Sequence, residues 1–93
     1  MVVGVLCAEL HLPNAASLKD KRSILKSLKD RIRGKFNIAV AEVEANELWQ
    51  RASLGIAAVG GERVYVDRLL EEVVRWLRNE KVVTLIRVEQ ERW

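Results

Sequence analysis

Eight cationic side chains fall within residues 17–35: Lys19, Lys21, Arg22, Lys26, Lys29, Arg31, Arg33 and Lys35. Only Asp20 and Asp30 oppose them, so this stretch carries +6 in a chain whose total charge is +3, and the remainder is acidic. If the stretch is helical, residues four apart are surface neighbours. Arg22 with Lys26, Lys29 with Arg33, and Arg31 with Lys35 are then like-charged pairs, each costing about a few tenths of a kcal/mol. Lys26 with Asp30 is the opposite-charged pair at that spacing. Lys19, Lys21 and Arg22 also crowd the helix start, where the macrodipole is already positive. A helix selected for stability alone places acids there. The chemistry on offer is anion binding, because free backbone N–H groups and ammonium groups converging at a helix start suit a phosphate. Ser17, Lys19, Lys21, Arg22, Lys26 and Lys29 are the candidate anion- or RNA-binding residues. The plainer alternative is a solvated, self-repelling surface helix.

Other chemistry-bearing groups are fewer. Cys7, Glu9 and His11 share one parity of an apolar run, which invites a metal or catalytic reading. Cys7 and His11 are four residues apart, about 13 Å at strand rise, too far for one metal to bridge. His11 is the only histidine, and a strand-end role beside a turn is the simpler account of it. Glu42, Glu44 and Glu47 make an acidic cluster in which Glu42 and Glu44 share a face and Arg51 stands ready to answer them. A hydrolytic carboxylate pair competes there with a solvated hairpin end. No phosphate-binding glycine loop, nucleophile elbow or zinc spacing is present. The expectation is a protein without metal, cofactor, catalytic residues or a known small-molecule substrate.

The elements that must position these groups follow from hydrophobic period. Residues 2–12, VVGVLCAELHL, are rich in β-formers and end at Pro13-Asn14, which marks a turn. Ser17 with Asp20 three residues on resembles a capping box, although Asp is shorter than the usual Glu or Gln. Leu18, Ile24, Leu25, Leu28 and Ile32 recur at helical spacing, predicting a helix over 18–34 that stops at Gly34. Residues 36–45 alternate as a strand. Residues 46–51 connect to a further strand, ASLGIAAVGG, closed by Gly60-Gly61. Val66, Leu69, Leu70, Val73, Val74 and Leu77 form a second helical stripe, ended by Asn79. Residues 82–90 read as the last strand. The order βαββαβ is the split βαβ pattern of ferredoxin-like folds. Right-handed crossovers give an α+β domain with a four-stranded antiparallel sheet, order 4-1-3-2, and both helices on one face. A chain of 93 residues has room for one domain, spanning 1–93.

One sheet face is then left uncovered. The first strand puts Leu6, Ala8 and Leu10 on one side and Val3, Val5, Cys7, Glu9 and His11 on the other. Strict alternation in the last strand groups Val82, Ile86 and Val88 against Val83 and Leu85, making it apolar on both sides. A wet face normally alternates to polar, so a homodimer using that face or a sheet edge is expected. Val3, Val5, Trp49 and Trp93 are the interface candidates, since a tryptophan in a connector or at a terminus is usually docked. Trp76 belongs to the edge of the second helical stripe. Aromatic residues are lacking on both central strands, which argues against an RNA reader that stacks bases on its sheet. Any nucleic-acid contact would run through phosphates and be steeply salt-dependent.

Composition narrows the setting. No apolar run approaches a membrane span, and the first twelve residues do not resemble a signal peptide. A single cysteine excludes an intramolecular disulfide and fits a reducing compartment. Abundant Arg and Glu with short loops and one proline point to a thermophilic source.

Three stretches carry a family resemblance: SLKDKRS at 17–23, FNIAVAEVE at 36–44 and LWQRASLGIA at 48–57. In this order they resemble the YlxP-like family of small bacterial proteins, closely over the first two thirds of the chain and in outline beyond. The family often has Glu where Asp20 stands. The resemblance implies a ferredoxin-like fold and a bacterial cytoplasmic protein of unknown biochemical function. Members are often encoded near translation-initiation and ribosome-maturation genes, which points by association to ribosomal RNA or ribosome assembly. No catalytic residue carries over. The leading reading is a non-enzymatic, RNA- or ribosome-associated module. A homodimeric interaction or small-ligand regulatory module is the alternative. An acylphosphatase-like hydrolase needs a glycine-flanked phosphate loop with an arginine after the first strand, and HLPNAAS at 11–17 does not supply it.

Overall fold

A computed structural model describes residues 1–44 and 47–92, with the backbone alone at residue 92. Its elements are β1 (Val2–His11), α1 (Leu18–Lys35), β2 (Ala39–Glu44), β3 (Arg51–Gly60), α2 (Arg63–Arg78) and β4 (Thr84–Arg92). The four strands form one antiparallel sheet in the order β2-β3-β1-β4. This is the predicted 4-1-3-2 arrangement read from the other edge. Among the described residues, no helix is long and apolar enough to cross a membrane.

Burial follows the two periods. Leu6, Ala8 and Leu10 of β1 and Leu54, Ile56 and Ala58 of β3 turn inward every second residue. Leu25, Leu28 and Ile32 of α1 and Val66, Leu70, Val73 and Leu77 of α2 close over them. Gly4 lets α2 approach the sheet. A Cβ at this position would lie 2.6 Å from Leu70 Cδ1 and 2.7 Å from Val66 Cγ1.

The helix start is built as its sequence implies. Ser17 Oγ accepts from the Asp20 N–H at 3.0 Å. Asp20 Oδ2 reaches past the cap residue to accept from the Ala16 N–H at 3.0 Å. The helix end differs from expectation. Helix α1 runs through Gly34 to Lys35 and stops at Phe36, whose backbone is extended and whose N–H still bonds Ile32 O. Ile38 N–H then bonds Phe36 O at 3.0 Å. Residues 36–38 therefore form a turn, and β2 begins at Ala39 rather than at 36.

Two bulges, both in outer strands, correct the strict alternation read from the sequence. In β4 the pairing steps from Glu9↔Arg87 to Leu10↔Leu85, leaving Ile86 as the extra residue. Leu85 and Val88 thereby share the core side, against their opposite parities, and Ile86 is exposed. Arg87 and Glu89, paired with Glu9 and Cys7, take the open side. That strand is thus charged, not apolar, on the uncovered face. In β2 the pairing steps from Glu42↔Leu54 to Glu44↔Ser53 around Val43. Glu42 and Glu44 consequently point to opposite faces, where alternation puts them together. Val43 lies over Gly55, whose missing side chain leaves the space that Val43 Cγ1 fills.

The two helical and strand glycines give opposite predictions. Gly34 sits inside α1 with no neighbour within 4 Å of an added Cβ and no positive φ. Gly34→Ala should raise unfolding free energy by about 0.5–1 kcal/mol. Gly4→Ala should lower it by about 1–3 kcal/mol through overpacking against α2. Urea midpoints of the two variants moving in the same direction would contradict this packing.

Candidate functional site

Helix α1 presents its cations unequally. At about 3.6 residues per turn, Lys19, Arg22, Lys26, Lys29 and Arg33 fall within about 80° of one another around the axis. They form one stripe along the helix. Lys19, Arg22, Lys26 and Arg33 are exposed and Lys29 is half-buried. Arg33 was not among the candidates named from the sequence, although its spacing of four from Lys29 was readable there. Arg31 points elsewhere. It pairs with Glu80 and its guanidinium carbon lies 5.6 Å from the centre of the Trp76 ring. Trp76 in turn meets Phe36 edge-on at 6.5 Å. These contacts join α1 to the α2 end, nearly opposite the cationic stripe on the helix circumference.

Lys21 is the exception among the predicted anion ligands. Its residue is 3% exposed. The ammonium donates to Leu48 O at 3.1 Å and lies 3.7 Å from Glu42 Oε2. Glu42 is on this side through regular alternation with Val40, and the bulge at Val43 sends Glu44 to the other. Lys21 therefore acts inside the molecule, fastening α1 to β2 and to the turn before β3. Arg51, expected to answer Glu42 and Glu44, instead lies 3.8 Å from Glu9 on the open face.

Intramolecular acids neutralise part of the stripe. Asp30 accepts from Lys26 at 3.0 Å and from Arg33 at 2.9 Å. The hydrogen bond from Lys26, then that from Arg33, holds the Asp30 carboxyl below its ordinary range. With the folded value depressed, this pairing stabilises at neutral pH and is lost as acid protonates Asp30. Lys35 stands 6.0 Å from the Phe36 ring centre. Among the described residues, no carboxylate pairs with Lys19, Arg22 or Lys29. Mutual repulsion across the whole segment, as expected from sequence, is thus confined to fewer residues. Ser17 Oγ is engaged by the Asp20 N–H, so its role here is the cap.

The stripe begins beside an exposed turn. Leu48 and Trp49 are 62% and 52% exposed. Their flanks are fixed: Gln50 Nε2 donates to Pro13 O and Ala15 O, each at 3.3 Å, and Leu12 N–H donates to Gln50 O at 2.9 Å. Nothing in the sequence signalled that the 47–50 turn would lie against the start of α1, because the link runs through a buried lysine.

The open sheet face divides in two. Val3, Val5, Ala39, Ala41, Ala57 and Val59 supply an apolar strip. Val3 and Val5 are half-buried on it, and Val59 is 55% exposed. Toward the other end stand Glu9, Glu44, Arg51, Arg87 and Glu89. Burial raises the Cys7 thiol above its ordinary value, with Glu44, Glu89 and Glu9 adding to the rise. Such surroundings keep the thiol protonated and unreactive. Among the described residues, no three His, Cys, Asp or Glu side chains are placed to hold a metal ion. The interface candidate Trp93 lies outside the described residues.

Fold and surface together define a ferredoxin-like α+β domain with a one-sided cationic helix. Residues 3–90 match the family described as "Protein of unknown function (DUF503)", and the chain belongs to that family. It is similar to "Uncharacterized protein YlxP" of Bacillus subtilis (strain 168), 37% identical over 76 residues that cover 82% of this chain and 83% of that protein.

Replacing Lys21 by Met keeps the stem and removes the charge. Leu48 O loses its donor and Glu42 its cation, so Lys21→Met should lower stability by about 1–3 kcal/mol. Chemical unfolding of the variant checks this; an unchanged midpoint would deny the ammonium its internal role.

Proposed function

We propose that this domain is a non-enzymatic RNA-binding module that holds phosphates along α1. The observation that carries the reading is the stripe of Lys19, Arg22, Lys26, Lys29 and Arg33, in which Lys19, Arg22 and Lys29 have no carboxylate partner among the described residues. The axial rise between Lys19 and Arg33 is about 21 Å, a length that meets several consecutive phosphates. Lys21 is excluded from the ligand set by its burial, and Ser17 by its cap. Ribosomal RNA is the first target to test, and the cytoplasm the compartment.

Salt dependence is the discriminating measurement. Five phosphate contacts to a single strand give a slope of log affinity against log salt of about −3.5. Lys19→Glu/Arg22→Glu/Lys29→Glu should remove more than half of that slope and most retention of ribosomal RNA at low salt. Asp30→Asn should act oppositely, removing the carboxylate that competes with phosphate for Lys26 and Arg33, and so tighten RNA retention at low salt. Wild-type protein that fails to retain RNA on a filter at low salt would end the proposal.

The apolar strip on the uncovered face favours a second property, self-association. We propose that two copies meet through Val3, Val5 and Val59. Light scattering should give a mass twice the chain's 10.6 kDa. Val59→Glu should return the single-chain mass, and a wild-type mass already at 10.6 kDa would rule the dimer out.

A further inference from the structure

We infer that Trp49 is a stacking platform for an unpaired base, which makes the preferred ligand of the α1 stripe single-stranded rather than duplex RNA. This inference rests on the phosphate-binding reading above and specifies which nucleic acid that surface takes.

Three features support it. The first is exposure. Trp49 is 52% exposed in a four-residue turn, Glu47 to Gln50, whose other side chains are polar apart from Leu48. A large ring left open to water, with no aromatic partner among the described residues, is the surface on which a base can stack. The second is rigidity. Four hydrogen bonds converge on the turn: Lys21 Nζ on Leu48 O, Gln50 Nε2 on Pro13 O and on Ala15 O, and Leu12 N–H into Gln50 O. Three of them tie it to residues 12–15, which lead into α1, and one ties it to α1 itself. A ring carried on a fixed backbone loses little freedom when a base lies against it. The third is placement. Lys21 lies at the same axial level of the helix as Lys19 and Arg22, so the carbonyl it grips holds the turn at that end of α1, about a quarter-turn around the helix from Arg22. Among the described residues neither Lys19 nor Arg22 has a carboxylate partner. Cations tracking a backbone beside an aromatic face are the two components of single-strand recognition.

The sheet reads differently. Its central strands carry no aromatic residue on the open face, so stacking there is unavailable. The aromatic surface has been supplied from the hairpin turn instead. A duplex keeps its bases paired and stacked, and only its phosphates would meet the stripe. Stacking therefore separates the two ligands where charge alone does not.

The test measures binding of a 20-nucleotide poly(U) strand and of a blunt RNA duplex of equal length by fluorescence anisotropy at low salt. Wild type should bind the single strand more tightly. Trp49→Ala should weaken single-strand binding roughly tenfold or more while leaving duplex binding unchanged, and Trp49→Phe should retain most of it. Poly(U) should quench tryptophan emission in wild type and not in Trp49→Phe, whereas heparin, a polyanion without bases, should quench neither. Circular dichroism matching wild type confirms that the variants fold. Equal single-strand affinity in wild type and Trp49→Ala, or equal losses on both RNAs, overturns the stacking inference and leaves phosphate binding standing. Wild-type protein that binds neither RNA removes both.

Discussion

An ammonium group withdrawn from water needs oxygen atoms close at hand, and Lys21 finds them on two other elements. Its stem lies among the inward-facing residues of α1. Its charged end meets Glu42 of β2 and the carbonyl of Leu48. Losing Glu42 would take the countercharge away from an ammonium whose residue is almost wholly buried, which is the costly case for buried ions. Glu42 faces the helix by ordinary alternation with buried Val40, and the extra residue at Val43 turns Glu44, which would otherwise share that face, to the open side. The bulge thus leaves one carboxylate, not two, on the side where Lys21 fastens the helix, the sheet and the hairpin turn together.

Much of the architecture was legible from period alone. Alternation in β1 and the 3–4 spacing in both helices placed the core correctly, and Ser17 marked the start of α1. The two bulges were not legible. Nothing in VAEVE or TLIRVEQ distinguishes an extra residue from a regular one, since the choice is made by cross-strand packing, such as Val43 settling over Gly55. The end of α1 misled for a related reason. Gly34 is a helix stop only where the chain needs a left-handed turn, and here it does not. Lys21 escaped because a lysine in a basic run reads as solvated, and its partners lie 21 and 27 positions later in the chain.

The charge pattern changes meaning once contacts are known. From sequence the basic segment is uniform. In the structure it resolves into an interior fastener at Lys21, a joint to α2 at Arg31, a partly neutralised group around Asp30, and open cations at Lys19, Arg22 and Lys29. Membership of the DUF503 family fixes the fold's kinship and leaves the ligand to be read from this surface. The uncovered sheet face, mixed in character between valines and carboxylates, is a separate region from the helix stripe. Neither use need interfere with the other.

The paired bulges at Val43 and Ile86 sit in β2 and β4, the two strands that bound the sheet. A kinked border offers an incoming strand a broken row of donors and acceptors, and the neighbouring glutamates and Arg87 add charge to it. Growth of the sheet by adding further strands at its rims is thereby discouraged on both sides. In the dimer proposed above, two copies meet face to face across the open sheet, and these rims take no part in the contact.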